Sequence, residues 1–393
     1  MQPMQLTEKL HSITRPELIK AEAFLKGRLT SLDVLRGMTI VLMILVNSPG
    51  GVTYYDFLQH AGWNGWTLAD LVFPFFVFIV GASIPFAFTS KIDRGISRRT
   101  LLIRIARRTI ILFVLGIIIS GFPLGFDPAS FRIMGVLQRI ALCYLFASLV
   151  FLFLKPRWRV FVTLAIPVVY WMLMTLVPVP GYGPGVLTEN GNLAGYVDRL
   201  LLGRHIYALT GTYDPEGVLS TLPAVATALI GVLAGQHLKS NAKPQTKTVN
   251  LLPYGSIALA IGFIWNFWFP INKNLWTSSY VAFTGGIAII LLATCFFIID
   301  AKGHIAWTKP FSILGPNAIF VYVLSEIVDL ILIYTSIPIS ETVNVSLKSL
   351  IYENLFASWA GPLHGSFLYA LALLAFCWAV ATILYWKRIF IKV

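Results

Sequence analysis

Long apolar runs separated by short polar connections dominate this chain. Runs near the roughly 20 residues that a bilayer-spanning helix needs recur at 32–47, 68–90, 101–121, 132–154, 158–178, 217–238, 250–270, 277–298, 310–335 and 364–387. The first reaches spanning length only if it begins inside the N-terminal segment. The pattern predicts an all-α integral membrane protein, a bundle of about ten transmembrane helices. Residues 1–30 read as a tail in which Pro16 to Gly27 forms a short amphipathic helix, opened by Pro16 and stopped by Gly27. Such a helix lies on the membrane surface. Residues 31–393 read as the transmembrane domain. Two outer connections are long, 179–216 and 336–363. The first contains the turn-rich stretch Pro178-Val-Pro-Gly-Tyr-Gly-Pro184. Its aromatics and the mixed charges Asp198, Arg199, Arg204, Asp214 and Glu216 predict an ordered cap. No internal repeat is visible, which disfavours a transporter built from inverted halves.

Charge gives the bundle a direction. The N-tail and alternate connections hold twenty Lys and Arg residues: Lys9, Arg15, Lys20, Lys26 and Arg28; Lys91, Arg94, Arg98 and Arg99; Lys155, Arg157 and Arg159; Lys239, Lys243 and Lys247; Lys302 and Lys309; Lys387, Arg388 and Lys392. The remaining connections hold five: Arg132, Arg199, Arg204, Lys273 and Lys348. Basic residues collect in cytoplasmic loops, so both termini are predicted inside. A missed or extra helix would scramble the alternation from its position onward.

Composition agrees with lipid as the solvent. Of 393 residues, 57% are hydrophobic and 12% charged, about half the charged share of a soluble domain, and the mean hydropathy is +0.77. A net charge of +13 would suggest nucleic acid in a soluble chain. Here the excess lies in loop positions, with no basic stripe clear of the apolar runs, so nucleic acid is not a predicted partner. Cys143, Cys295 and Cys377 fall inside apolar runs. They form neither a disulfide framework nor a metal-binding spacing, and no metal is predicted. The first thirty residues predict no cleavable signal peptide.

Ionisable groups within spans are costly and so default to functional candidates. Asp33 and Arg36 open the first run three apart, on one helical face. They read either as a structural ion pair or as part of a site. Arg104, Arg107 and Arg108 lie in the inner half of the third run. Snorkelling to lipid phosphates explains them; a site for an anionic ligand from the cytoplasm is the sharper alternative. Arg139 lies about 10 Å deep at 1.5 Å per residue, beside Gln138, and needs a carboxylate, a ligand or water. Asp70 is its expected partner in a structural reading. Glu326 and Asp329 lie in the outer half of the ninth run, and Asn47, Asn266 and Asn317 read as helix-to-helix hydrogen bonders.

His60 lies in the first outer loop, in Gln59-His-Ala-Gly-Trp-Asn-Gly-Trp-Thr-Leu-Ala-Asp-Leu-Val-Phe-Pro74, and that loop is free of Lys and Arg. Trp63 and Trp66 suit the membrane interface. The loop is expected to fold back and bring His60 near Asp70 and Asn47. An imidazole there can act as base, acid or nucleophile, or it can be a hydrogen-bonded structural residue. No serine elbow, zinc-binding histidine pair or phosphate-cradling glycine loop appears.

These segments carry a resemblance. Arg28-Leu-Thr-Ser-Leu-Asp-Val-Leu-Arg-Gly37, the His60–Pro74 stretch, Gly135-Val-Leu-Gln-Arg-Ile140, Asp214-Pro-Glu-Gly-Val-Leu-Ser-Thr-Leu-Pro223, Pro270-Ile-Asn-Lys-Asn-Leu-Trp-Thr-Ser278 and Gly315-Pro-Asn317 together resemble the heparan-alpha-glucosaminide N-acetyltransferase family. The resemblance covers most of the chain from Arg28 onward. It implies a multispanning enzyme that takes acetyl from cytosolic acetyl-CoA and places it on the amine of a glucosamine-type sugar across the membrane. It lacks the long luminal N-terminal domain of animal members. That points to compact bacterial relatives, hence to a bacterial inner membrane, and to a homodimer as the implied assembly. By this resemblance His60, Asp70 and Asn47 are the catalytic candidates. Arg36, Arg104, Arg107, Gln138, Arg139 and Asn317 are candidates for acetyl-CoA. Trp63, Asn64, Glu326 and Asn266 are candidates for the amino sugar. His60 would either deprotonate the amine or carry the acetyl group itself, with Asp70 orienting it and Arg139 or Asn47 at the oxyanion. The competing reading is a transporter for a small anionic or sugar solute, resting on Arg139, Asp70 and Glu326.

Overall fold

The computed structural model describes residues 29–121, 131–338 and 344–391. The expected surface helix from Pro16 to Gly27 lies outside them. The described residues are mostly helical, and the first long helices are α1 (Thr30–Asn47), α2 (Leu68–Asp93), α3 (Arg98–Gly121), α4 (Val136–Phe153) and α5 (Pro156–Leu176). The shorter α6 (Leu193–Leu202) precedes α7 (Thr221–Lys239), α8 (Pro244–Trp265) and α9 (Ser278–Cys295), the last prolonged by a π-helical turn, Phe296–Ala301. After them come α10 (Lys309–Leu314), α11 (Ala318–Tyr334), α12 (Leu347–Tyr352) and α13 (Ser358–Trp386). The strands β1 (Ser336–Pro338) and β2 (Asn344–Ser346) pair as a small antiparallel ribbon.

Among the described residues, nine helices or helix pairs are long and apolar enough to cross a membrane. The tenth expected span, α3, has the length, 24 residues, but not the composition. Arg98, Arg99, Arg104, Arg107 and Arg108 all fall in its first three turns, while its second half is apolar. With α3 included, the multipass bundle expected from hydropathy is present. The protein is an integral, multipass, all-α membrane protein.

Burial sorts the helices into centre and rim. In the most apolar windows of α2 and α7, 78% and 72% of residues are buried, against 22% in α5 and 22% in α8. The outer pair presents Leu164, Val169, Ile257 and Ile264 outward, as lipid-facing helices do. In the central pair, small residues let backbones touch. A Cβ built on Gly81 would lie 1.8 Å from the Ala228 carbonyl oxygen, and one on Gly231 would lie 2.0 Å from that of Phe78. Packing of this kind drives helix association where lipid offers no hydrophobic gain.

The ends of the bundle differ in chemistry. The Ser31 N–H at the start of α1 donates to Asp300 at 3.1 Å. At the far end of α1, the Asn47 amide donates to Glu326 of α11 at 3.2 Å. Since the long helices alternate in direction, the segments around 48–67, 131–135, 177–220, 266–277, 335–338 and 344–357 gather at the Asn47 end. The 177–220 loop is folded rather than extended. Asn192 caps α6, its side chain accepting the Gly195 N–H at 2.6 Å, and a bridge joins Val179 to Gly183. Gly361, with φ 77°, breaks the start of α13, a backbone region glycine enters without steric cost.

Candidate functional site

His60 is held by the start of α2. Asp70 sits at the third position of that helix, where a carboxylate can cap the first turn. Its Oδ2 accepts the N–H groups of Thr67 and Ala61, both at 3.0 Å, and the Thr67 hydroxyl at 3.2 Å. Its Oδ1 lies 2.8 Å from His60 Nδ1. One buried carboxylate therefore caps a helix, pins a loop and orients an imidazole. A carboxylate only accepts, which assigns the proton to Nδ1 and the lone pair to Nε2. The side chain of Asp70 is 1% exposed and that of His60 45%, so the imidazole opens outward from a fixed base. The Tyr280 hydroxyl donates to the Asp70 carbonyl from beneath.

The rest of the loop docks on two neighbours. The Gly65 N–H donates to the Ile271 carbonyl at 2.8 Å, the Asn272 amide to Asn64 Oδ1 at 3.3 Å, and the Trp63 indole to the Leu187 carbonyl at 2.9 Å. Asn266 braces the same turn by accepting the Ile271 N–H at 2.7 Å. That turn carries Lys273, which along the sequence stands out only as one of five sparse outer basic residues. Its Nζ lies 3.1 Å from both ring nitrogens of His60 and 3.7 Å from Asp70 Oδ1. Burial pulls its ammonium below the ordinary lysine value, with Asp70 and Glu216 opposing. The available signal was its place in Pro270–Ser278, one of the segments carrying the resemblance.

A second ionic cluster lies nearby. Arg132 grips Asp214 with two bonds, Nε to Oδ2 at 3.0 Å and Nη2 to Oδ1 at 2.6 Å, and also donates to Glu216. Its guanidinium stacks 4.2 Å from the Tyr207 ring. Asp198 of α6 accepts the N–H groups of Val218 at 2.8 Å and Asp214 at 3.1 Å; burial pushes its carboxyl up to about 6. Burial alone would raise Glu216 too, but Arg132, Arg139 and Lys273 hold it below the ordinary value. Glu216 thus links the two clusters electrostatically.

Arg139 is fully buried, but Asp70 is not its partner, contrary to expectation. Asp70 is already committed to His60 and Lys273. Arg139 Nη2 donates instead to Ser220 and, at 3.2 Å, to the Gly217 carbonyl, where the chain turns into α7. The guanidinium lies 5.0 Å from the Trp276 ring. Its Nε and Nη1 have no hydrogen-bond partner among the described residues, so it retains donors for a ligand or water.

Asn47 bonds one helix to another, as the structural reading of its position expects, but it has no bond to His60 or Asp70 among the described residues. With its amide on Glu326, it lines a cavity of about 400 Å³ together with Gln138, Arg132, Tyr207 and Tyr322. That is within the size of small-molecule pockets. The Gln138 Nε2 is buried without a partner among the described residues. Neither His60 nor Asp70 lines this cavity. The expected grouping of His60, Asp70 and Asn47 is therefore divided between a dyad and a separate pocket. Asp329 faces away from both, bonded to Lys348 at 3.0 Å and Tyr369 at 3.2 Å.

At the opposite end, Arg36 pairs with Asp33 at 2.8 Å and donates to Ser83 at 2.8 Å. Asn317 clamps the C-terminal segment, donating to the Ile389 carbonyl at 3.1 Å and accepting the Ile391 N–H at 2.9 Å. Arg104 and Arg107 are exposed on α3, while Arg108 lies 4.5 Å from the Tyr144 ring.

A family model for the catalytic part of heparan-alpha-glucosaminide N-acetyltransferase matches residues 28–264. The matched span holds the His60–Asp70 dyad, Asn47, Gln138 and Arg139, and stops short of Lys273 and Glu326. Two relatives are heparan-alpha-glucosaminide N-acetyltransferases. The one from Homo sapiens is 36% identical over 384 residues, covering 82% of this chain and 56% of that protein. The one from Mus musculus is 36% identical over 371 residues, covering 80% and 55%. The chain thus spans about half the length of the curated relatives it matches.

Proposed function

The chain belongs to the heparan-alpha-glucosaminide N-acetyltransferase family, and on that premise we propose that it is a membrane-bound enzyme transferring acetyl from acetyl-CoA to the amine of a glucosamine-type sugar. The observation that carries this reading is the His60–Asp70 dyad, 2.8 Å apart, with a buried carboxylate and an outward-facing imidazole. Acetyl-CoA supplies the activated thioester. For direct transfer, His60 Nε2 takes a proton from the sugar amine as the nitrogen attacks the acetyl carbon, and the proton then passes to the departing thiolate. For transfer through the enzyme, Nε2 itself attacks the acetyl carbon and expels the CoA thiolate; the amine then attacks that carbon, the bond to Nε2 breaks, and the amine proton passes to the thiolate. Asp70 serves both routes, because its bond to Nδ1 fixes the ring and stabilises the positive charge that develops on it.

Arg139 supports an oxyanion role better than Asn47 does, since two of its nitrogens have no partner among the described residues while the Asn47 amide is bonded to Glu326. Gln138, Glu326 and Asn47 line a pocket suited to polar ligand groups, and Trp63 and Asn64 flank the His60 side. Asn266 supports the turn beneath them. At the other end, Arg36 and Asn317 are occupied by protein partners, which leaves exposed Arg104 and Arg107 as the residues best suited to phosphates. An inward-facing arginine end and an outward-facing histidine end fit transfer across the bilayer, with both termini inside.

The test is His60→Ala in purified protein supplied with acetyl-CoA and glucosamine. We expect turnover to fall by about 10²–10⁴-fold, the usual worth of a positioned acid–base group. Retained transfer would remove His60 from the mechanism.

A further inference from the structure

We propose that Lys273 is a positioning residue that sets the protonation of His60, holding the imidazole neutral with its lone pair on Nε2. The inference deepens the reading of His60 as base or nucleophile and rests on it. An imidazole bonded to a buried carboxylate is drawn toward the doubly protonated form, because the opposite charge favours the cation. An imidazolium can neither take a proton from an amine nor attack an acetyl group. Asp70 alone would therefore orient His60 and disarm it together.

Lys273 offsets that pull. Lys273 Nζ lies 3.1 Å from both ring nitrogens, so its charge bears on the whole ring. A positive charge at that distance opposes a second one on the ring. The Lys273 side chain is 18% exposed, and its turn is tightly fixed. Asn272 Oδ1 accepts the Leu275 N–H at 2.8 Å, and the Thr277 hydroxyl donates to the Pro270 carbonyl at 2.8 Å. The charged groups bearing on the pair come from four elements: Asp70 from α2, Lys273 from the 266–277 turn, Glu216 from the segment before α7, and Arg139 from α4. Glu216 attracts the Lys273 ammonium and Arg139 repels it.

The experiment is carbethoxylation of the full chain by diethyl pyrocarbonate, which attacks neutral imidazole, followed by mass spectrometry of the His60 peptide across a pH series. Lys273→Met removes the charge, Lys273→Arg retains it, and Lys273→Gln replaces the Met variant if that one does not fold. We expect the His60 midpoint to move to higher pH by about one unit or more in Lys273→Met and to stay near wild type in Lys273→Arg. The acid limb of the acetyl-transfer profile should move with it, leaving the alkaline plateau within about tenfold. Equal midpoints in wild type and Lys273→Met would overturn the inference. So would an arginine variant displaced as far as the methionine one. A displaced midpoint together with acetyl transfer that ignores His60→Ala would retire the proposed function and leave the His60–Lys273 coupling standing.

Discussion

Two ionic clusters share one end of the bundle, and they are built differently. In the Arg132–Asp214–Glu216 cluster, Asp214 is fully buried and both of its oxygens accept, from the guanidinium and from the backbone N–H groups of Glu216 and Tyr207. In the His60–Asp70–Lys273 cluster, the carboxylate is equally buried and equally committed, but the group it holds stays half exposed. The first arrangement is closed at Asp214: both of its oxygens are answered from within the protein, and the result ties the 177–220 loop to the entry of α4. The second is open: its buried half is satisfied so that its exposed half has one fixed orientation. Buried charges are costly unless fully paired. A closed cluster spends its pairing on architecture, and an open one directs a reactive atom outward.

The comparison can be broken from either side. Arg132→Met should have the largest effect, because it leaves Asp214 and Glu216 buried without their counter-charge. Losing one partner of such a pair costs about 3–5 kcal/mol, which would appear as a collapse in the thermal unfolding temperature of the detergent-solubilised protein. A variant with unchanged unfolding would mean that the cluster is not architectural. Asp70→Asn should act the other way round. An asparagine still accepts backbone N–H groups, so stability should fall by no more than about 2 kcal/mol. The tautomer of His60 is no longer fixed, and acetyl transfer should drop on the order of 10²-fold or more. Equal losses of stability and rate would merge the two clusters into one.

The smallest effect is on pH dependence. Glu216 is held below its ordinary value of 4.5, so its contribution to stability is present above about that pH and is lost as the medium acidifies through the lower folded-state value. Unfolding temperatures measured downward from neutral pH should hold and then fall in acid. Glu216→Gln should flatten that limb. An acid limb identical in the variant would assign it to other carboxylates.

Much of the bundle was legible, because spanning helices announce themselves by length and apolarity. The edges were less so. The seventh long helix, expected at 250–270, is α8 and occupies Pro244–Trp265, since Pro244 opens it and its first turns are too polar to read as part of an apolar run. The run expected at 132–154 starts at Val136 instead, because Arg132 leaves the span to join Asp214. In the site, His60 and Asp70 are ten residues apart on either side of a helix start, close enough for sequence to couple them. Lys273 reaches His60 from 213 residues away, and no local pattern carries such a contact. The Arg139 partner was misjudged for the same reason. Depth in a helix states that a charge needs an answer, not which distant turn gives it.

The sequence by itself determined that this chain lives in lipid, where its helices run, and that His60 and Asp70 belong together. Hydropathy and short-range spacing are local quantities, read along one dimension. Only the tertiary structure decided that Arg139 turns to Ser220 and Gly217, that Asn47 bonds to Glu326 in the wall of a separate cavity, and that Lys273 lies against the imidazole. Those choices depend on which helix ends meet at one face of the bundle. They are fixed by packing among segments that have no sequence proximity.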